Sequence, residues 1–242
     1  GLLLGNSILF NEQVKKNYKT LYDFGGSPIG NSRVKLTNVK DCIERGYVKK
    51  TEEPLKVAAE QLKKDKIDIL HTIGGDDTNT MAAHLSAYLN ENDHNLTVVG
   101  LPKTVDNDIY PITQTLGAWT AAEQGALFFE NIVNENTTSS RQLIIHEIMG
   151  RHCGWLTAKT AHIYRERLKR RQFIPEILID KDRWDIDAIY LPEQSLNIES
   201  EQIRLRKTMD QKDCINIFLS EGAGQEAIIK EIEKKGKKIS RD

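Results

Sequence analysis

The sequence predicts an α/β protein with mostly parallel sheets, folded as two Rossmann-like, doubly wound domains. Short apolar runs recur along the chain, helical patterns separate them, and polar clusters follow the runs. The apolar runs of strand length lie at residues 67–73, 96–101, 143–148, 186–191 and 215–219. Short buried runs that alternate with amphipathic helices are typical of parallel strands joined by helical crossovers.

Helical patterns lie between the strand runs. Two stretches place apolar residues at helical spacing: Met81, Leu85, Tyr88 and Leu89 in the first, and Leu116, Trp119, Leu127 and Phe128 in the second. Residues 163–185 are rich in arginine and lysine, which predicts a solvated helix and loop. We place the boundary between the domains near residue 118, so that the predicted domains are 1–118 and 119–242.

The composition allows two modest domains and excludes some partners. The chain has 242 residues and a net charge of -1, so we expect neither a nucleic-acid nor a membrane partner. Its three cysteines, Cys42, Cys153 and Cys214, lack metal-type spacing and fit a reducing cytoplasm. The chain starts without methionine and ends in a charged stretch, so we expect a piece of a longer protein.

Small or charged residues follow all five predicted strands. These clusters are Gly74 to Thr80, Pro102 to Asp108, Met149 to Gly154, Pro192 with Glu193, and Ser220 to Gly224. Because ligands of open α/β sheets bind at the carboxyl ends of the strands, the clusters predict one binding site at that edge. Their residue types suit phosphate and sugar chemistry.

The first cluster is a glycine-rich turn. Gly74 and Gly75 let the backbone approach a ligand closely, and a helix starting near Thr78 would present free amides and its positive dipole end. The Asp76 carboxylate could hold Mg²⁺. The alternative is a plain strand-to-helix turn in which Asp77 or Thr78 caps the helix.

The second cluster combines a lysine with two carboxylates. In an extended segment Asp106 and Asp108 point to the same side. One carboxylate can accept the proton of an alcohol, while Lys103 neutralises charge on a transferred phosphoryl group. The cluster therefore indicates phosphoryl transfer to an alcohol, and the alternative is an Asx-rich loop without chemistry.

The later clusters supply candidates for anion and sugar binding. Arg151, between Gly150 and Gly154, can bind phosphate in a bidentate manner, or it is a surface charge. Glu221 could hold sugar hydroxyls or only begin a helix. We interpret His152 and Cys153 as structural residues, because no third group is evident that would orient a nucleophile and base.

Together and in this order, the clusters resemble the phosphofructokinase family. The matching segments are Gly74 to Asp77, Pro102 to Asp108, Met149 to Arg151 and Ser220 to Gly222, preceded by a glycine-rich segment, Gly25 to Arg33. The resemblance covers about residues 20–225 and implies the phosphofructokinase fold, with the active site in the cleft between two domains. It also implies that a first strand precedes Gly1 and that further sugar-phosphate contacts follow Asp242.

The resemblance assigns roles to residues. It implies that Asp106 is the base that takes the proton from the 1-hydroxyl of fructose 6-phosphate, and that Asp76 and Asp108 bind Mg²⁺. The implied catalytic residues are Asp106, Lys103, Asp77, Thr104 and Arg151. The implied contacts to fructose 6-phosphate are Thr104, Val105, Asp106, Met149, Gly150, Arg151, Glu221 and, reaching across a subunit interface, Arg141. Diphosphate would contact Gly74, Gly75 and Lys103.

Two positions bear on the phosphoryl donor. In the family that the sequence resembles, members that use ATP have Gly-Gly-Asp-Gly and Pro-Gly-Thr in these two segments. Members that use inorganic diphosphate have an aspartate in place of the last glycine of the first segment and a lysine in place of the glycine of the second. In this sequence the residues are Asp77 and Lys103. A carboxylate at position 77 places bulk and negative charge where the α-phosphate of a nucleotide would sit, so we expect diphosphate as the donor.

Other functions stay open from the sequence. The chain could belong to an ATP-dependent kinase of the family, or to a catalytically silent regulatory subunit, although Asp76 and Asp106 are both present. A lipid or dinucleotide kinase could share the Gly-Gly-Asp turn but would not explain residues 103–108. The resemblance further implies a homodimer or homotetramer, and the cysteines indicate a cytoplasmic location.

Overall fold

The computed structural model describes residues 1–234 and has an α/β fold with parallel sheets, as predicted. Its strands are β1 (Ile69–Gly74), β2 (Thr97–Pro102), β3 (Gln142–Ile148), β4 (Ala188–Tyr190) and β5 (Cys214–Ser220). Its α-helices are α1 (Glu12–Lys16), α2 (Val39–Glu44), α3 (Pro54–Lys64), α4 (Asp76–Glu91), α5 (Ala118–Ile132), α6 (Trp155–Leu168), α7 (Lys181–Trp184), α8 (Ile198–Lys212) and α9 (Gln225–Lys234). Residues 235–242, the end of the second predicted domain, lie outside this described part.

The chain divides into two compact units, the first ending at Pro102 and the second beginning at Lys103. The boundary expected from the sequence lay near residue 118. The segment before α5 belongs to the second unit because Val105 packs against that unit's core and the Cys153 thiol donates a hydrogen bond to the Asp106 carbonyl, at 3.3 Å. From the family resemblance we expect the first domain to bind diphosphate and Mg²⁺ and the second to bind fructose 6-phosphate, and these assignments stay predictions.

The first unit is built on the parallel pair β1 and β2, whose register runs from Ile69 opposite Thr97 to Gly74 opposite Pro102. Helices α3 and α4 pack on one face of the pair, around a core of Ala58, Ala59, Leu62, Leu85 and Leu89. Proline at the first position of α3 suits a helix start, because a backbone amide at that position would have no hydrogen-bond partner within the helix. The strands predicted at residues 67–73 and 96–101 are therefore confirmed.

The second unit contains a parallel sheet in the order β3-β5-β4, and it is doubly wound as predicted. Residues of α5 and α6 form the core on one face, and α8 packs against β4 and β5 on the other. The central strand β5 is buried along most of its length. Ile148 at the end of β3 lies opposite Ser220 at the end of β5. The loops that follow these two strands therefore begin side by side.

The core of the second unit is aromatic. The ring centroid of Phe129 lies 4.8 Å from that of Tyr164 and 4.6 Å from that of Phe218, and both pairs have edge-on geometry. The prediction that residues 163–185 are a solvated helix and loop is wrong for Tyr164 and Trp184, which are buried. The Tyr164 hydroxyl donates to the Trp184 carbonyl, so aromatic packing and this bond draw the segment into the core.

No helix within residues 1–234 is long and apolar enough to cross a membrane.

Truncating the central aromatic ring should destabilise the second unit strongly. We expect Phe129→Ala to cost about 3–5 kcal/mol of unfolding free energy, because the ring is fully buried and leaves a cavity. The neighbouring Phe128, 59% exposed, offers the matched control, and Phe128→Ala should cost clearly less. Urea unfolding followed by tryptophan fluorescence measures both losses, and equal losses would contradict the role of Phe129 in the core.

Candidate active site

The glycine-rich turn joins β1 to α4 more tightly than the sequence suggested. Helix α4 begins at Asp76 with Gly75 as its N-cap residue, so neither Asp77 nor Thr78 caps the helix. A Cβ atom at Gly74 would lie 2.3 Å from the Thr78 hydroxyl oxygen, closer than real Cβ contacts come. Only glycine therefore fits at position 74 without a shift of Thr78. As a result, Asp76 and Asp77 occupy the first helical turn, where negative charge is favourable.

Asn79 fixes this turn, although the sequence did not single it out. Its side-chain amide donates to the carbonyl oxygens of Gly74 and Gly75, both at 2.9 Å. A Cβ atom at Gly100 on β2 would lie 2.4 Å from the Asn79 Oδ1 atom, so glycine makes room for the amide. An asparagine near a helix start is common enough to carry no signal by itself.

Asp77 forms an ion pair with Lys35, whose Nζ lies 2.8 Å from Asp77 Oδ1. Both side chains are exposed, so the pair contributes at most about 1 kcal/mol. Lys35 was not predicted as part of a site. The pair places a cation beside the Asp77 carboxylate, which bears on the choice of donor.

In the second unit Asp106 lies in an acidic environment. Its amide donates to the Thr104 hydroxyl oxygen at 3.1 Å. Burial raises the pKa of Asp106, the charges of Asp108 and Glu221 raise it further, and a hydrogen bond from Thr104 opposes them. A carboxylate with a raised pKa is a better general base than an ordinary one.

The loops after β3 and β5 are joined along their backbones. The Glu221 amide donates to the Ile148 carbonyl at 2.9 Å, and the Ser220 hydroxyl donates to the Gly150 carbonyl at 2.6 Å. Gly150 has a φ of 134°, which other residues rarely adopt. A Cβ atom at Gly222 would lie only 1.8 Å from the Arg151 carbonyl oxygen, so the loops approach this closely only with glycine there.

This backbone contact brings two predicted site residues together. The Arg151 guanidinium lies 3.4 Å from Glu221 Oε1, and both side chains are exposed. Because the Glu221 charge also acts on the Asp106 pKa, the second unit gathers an arginine and three carboxylates, those of Asp106, Asp108 and Glu221. Such a group can bind an anionic phosphate and hydroxyl groups next to a base.

Cys153 has a structural contact, in agreement with its interpretation from the sequence, whereas the interpretation of His152 stays a prediction. The Cys153 thiol donates to the Asp106 carbonyl, and burial raises the pKa of this thiol, which keeps it protonated. His152 is exposed. Glu193, which the sequence placed only after a strand, accepts a hydrogen bond from the Gly154 amide at 2.7 Å and so anchors the start of α6.

The remaining predicted residues are placed as follows. Val105 packs on the core, while Lys103 and Met149 are exposed. Arg141 precedes β3, at the opposite end of that strand from Met149, and its guanidinium pairs with Asp210 at 2.8 Å. A strand of this length spans roughly 20 Å, so Arg141 does not join Arg151 and Glu221 within its own chain.

The predicted metal ligands lie in different units, Asp76 in the first and Asp108 in the second. Among residues 1–234 no group of three or more His, Cys, Asp or Glu side chains could hold a metal. Mg²⁺ does not require such a group, because it usually binds one or two carboxylates together with water and substrate phosphates. The exposed Asp76 carboxylate fits that donor chemistry.

Known proteins resemble this chain along its whole length. It is 58% identical over 242 residues to the pyrophosphate–fructose 6-phosphate 1-phosphotransferase of Methylomonas methanica. It is 57% identical to the protein of the same name from Methylotuvimicrobium alcaliphilum. Each alignment covers 100% of this chain and 59% of the relative, so the chain spans less than two thirds of their length.

A solved structure shows the same fold. The pyrophosphate-dependent phosphofructokinase of Marinobacter aquaeolei superposes with a TM-score of 0.67 and 21% sequence identity, over 96% of this chain and 54% of that one. The sequence pattern of the family described as phosphofructokinase matches residues 1–242. This match covers every cluster at the strand ends, and the chain therefore belongs to the phosphofructokinase family.

Proposed function

We propose that the protein containing this chain transfers a phosphoryl group reversibly from inorganic diphosphate to the 1-hydroxyl of fructose 6-phosphate. The products are fructose 1,6-bisphosphate and phosphate. The observation that carries the proposal is the group formed by Asp106, Arg151 and Glu221: burial and nearby carboxylates, Glu221 among them, raise the pKa of Asp106, and the Arg151 guanidinium lies 3.4 Å from Glu221 Oε1. The names of the two relatives support the substrate pair.

Asp106, Arg151 and Glu221 have separate roles in this proposal. Asp106 accepts the proton of the 1-hydroxyl as the oxygen attacks phosphorus. Arg151 binds phosphate oxygens, and Glu221 accepts hydrogen bonds from sugar hydroxyls. The contacts that complete the sugar-phosphate site are Thr104, Val105, Met149 and Gly150. Positioning and charge stabilisation do most of the work in such reactions.

The proposal assigns donor contacts to residues of each unit. Gly74 and Gly75 bring backbone close to the diphosphate, and Lys103 neutralises its charge. Asp77 disfavours a nucleotide by its negative charge. Asp76 in the first unit and Asp108 in the second would each serve as a ligand of Mg²⁺, which when bound would neutralise charge on phosphate oxygens.

The proposal extends to assembly and location. The protein acts as a homodimer or homotetramer, in which Arg141 reaches the fructose 6-phosphate of a neighbouring subunit. Two observations support this: the Arg141 side chain is exposed, and it lies at the opposite end of β3 from the loop that carries Arg151. The three cysteines are free, which supports a cytoplasmic location.

The choice of donor is tested directly. The full-length protein should phosphorylate fructose 6-phosphate with diphosphate and Mg²⁺, and not with ATP, because Asp77 and Lys103 suit the smaller donor. A coupled assay that measures fructose 1,6-bisphosphate compares the two donors at equal concentration. A preference for ATP would overturn the donor assignment, and inactivity with both would favour a regulatory subunit.

Removing the Lys103 charge should slow the reaction. We expect Lys103→Met to lower kcat with diphosphate by about 10²–10³, the usual loss for one preorganised charge-stabilising group. Lys63→Met, at the exposed end of α3, is a matched control and should keep full turnover. Unchanged turnover in Lys103→Met would remove this lysine from the mechanism.

Removing the carboxylate of Asp106 should also lower the turnover number. We expect Asp106→Ser to lower kcat by at least ~10², because no group then accepts the hydroxyl proton. Asp106→Asn keeps the shape of the side chain and should lose a similar factor. Steady-state kinetics in both directions measure the loss, and a near-native rate in either variant would show that the base is another residue.

A further inference from the structure

The residue after the proposed base has an unusual backbone conformation. Asn107 has a φ of 55°, in the left-handed region that asparagine tolerates better than most residues. Its Oδ1 atom accepts hydrogen bonds from the Thr115 amide at 2.8 Å and the Thr115 hydroxyl at 3.1 Å. Its Nδ2 atom donates to the Thr113 carbonyl at 3.2 Å.

Thr115 connects both sides of the base. Its hydroxyl lies 2.7 Å from the Thr104 carbonyl oxygen, which is the shorter of its two contacts and so the main one for its single proton. The residue is only 1% exposed, so water does not compete for these bonds. Thr115 is thus hydrogen-bonded to Thr104, two residues before Asp106, and to Asn107, the residue after it.

We propose that Asn107 and Thr115 are positioning residues that hold the backbone around Asp106 in its catalytic conformation. The two side chains are called the Asn107–Thr115 clamp below. The clamp is assigned no contact of its own with substrate, and it acts by holding the segment from Thr104 to Asn107 that carries Asp106. The inference rests on the proposed function, because it assumes that Asp106 is the base of the phosphoryl transfer.

The geometry explains why these two residue types are needed. Asparagine combines tolerance of a positive φ with an oxygen that accepts and an NH₂ group that donates: Oδ1 accepts from Thr115 and Nδ2 donates to the Thr113 carbonyl. Threonine supplies an amide and a hydroxyl that point to different partners. A clamp of this kind restricts Val105 and Asp106 between two fixed points, and small displacements of a base are costly for catalysis.

The clamp is tested with three threonine variants of the full-length protein. Thr115→Val removes the hydroxyl at nearly constant volume and should lower kcat about tenfold or more, with the KM for diphosphate within about twofold. Thr115→Ser restores the hydroxyl and should recover most of the rate. Thr157→Val is the matched control, because Thr157 is fully buried and its hydroxyl has no partner within the described residues.

A second variant isolates the asparagine. Asn107→Gly keeps the positive φ accessible and removes only the side chain. Amide hydrogen exchange should show the Thr115 amide protected in the unmodified protein and exposed in Asn107→Gly. This readout does not depend on turnover, so it tests the clamp even if the unmodified protein proves inactive with diphosphate and the proposed function fails.

Several outcomes would overturn the inference. They are an unprotected Thr115 amide in the unmodified protein, full kcat in Thr115→Val, and equal losses in Thr115→Val and Thr115→Ser. A rise in KM without a fall in kcat would show a binding role instead. Loss of folding in both Thr115→Val and Asn107→Gly would show a purely structural role and would also overturn it.

Discussion

The parallel pairing of β3 with β5 is the constraint on which the site of the second unit depends. Their register sets Ile148 opposite Ser220, so the two following loops start at the same level. Gly222 then lets its backbone lie against the Arg151 carbonyl, and hydrogen bonds to Ile148 and Gly150 hold the loops together. Any side chain at position 222 would force the loops apart and separate Arg151 from Glu221.

Both units solve the same problem in the same way. A turn at a candidate binding site must allow a close approach of the backbone and still keep one conformation, which glycine alone does not ensure. In the first unit Gly74 permits the close turn, and the Asn79 side-chain amide donates a hydrogen bond to the Gly74 carbonyl. In the second, the side chains of Asn107 and Thr115 tie the segment that carries Asp106. Side-chain amides and hydroxyls thus supply the rigidity that the backbone lacks.

The strands were predictable because burial leaves a direct trace in the sequence. A strand covered on both sides, such as β5, must be apolar along nearly its whole length. The start of α4 was misjudged, because capping preferences point to aspartate or threonine and the structure uses Gly75. The segment 163–185 was misjudged because its charged residues outnumber Tyr164 and Trp184, and composition does not show which side chains face the core.

The sequence by itself determined the fold class, the order of the strands along the chain and the clusters at their carboxyl ends, because these follow from local patterns of burial and turn residues. Only the tertiary structure decided which distant groups meet. The hydrogen bonds from Cys153 to Asp106, from Gly154 to Glu193 and from Thr115 to Thr104 join residues that no periodicity relates. Such pairs depend on how strands and loops pack, since a hydrogen bond requires a distance and an angle that only the folded chain provides.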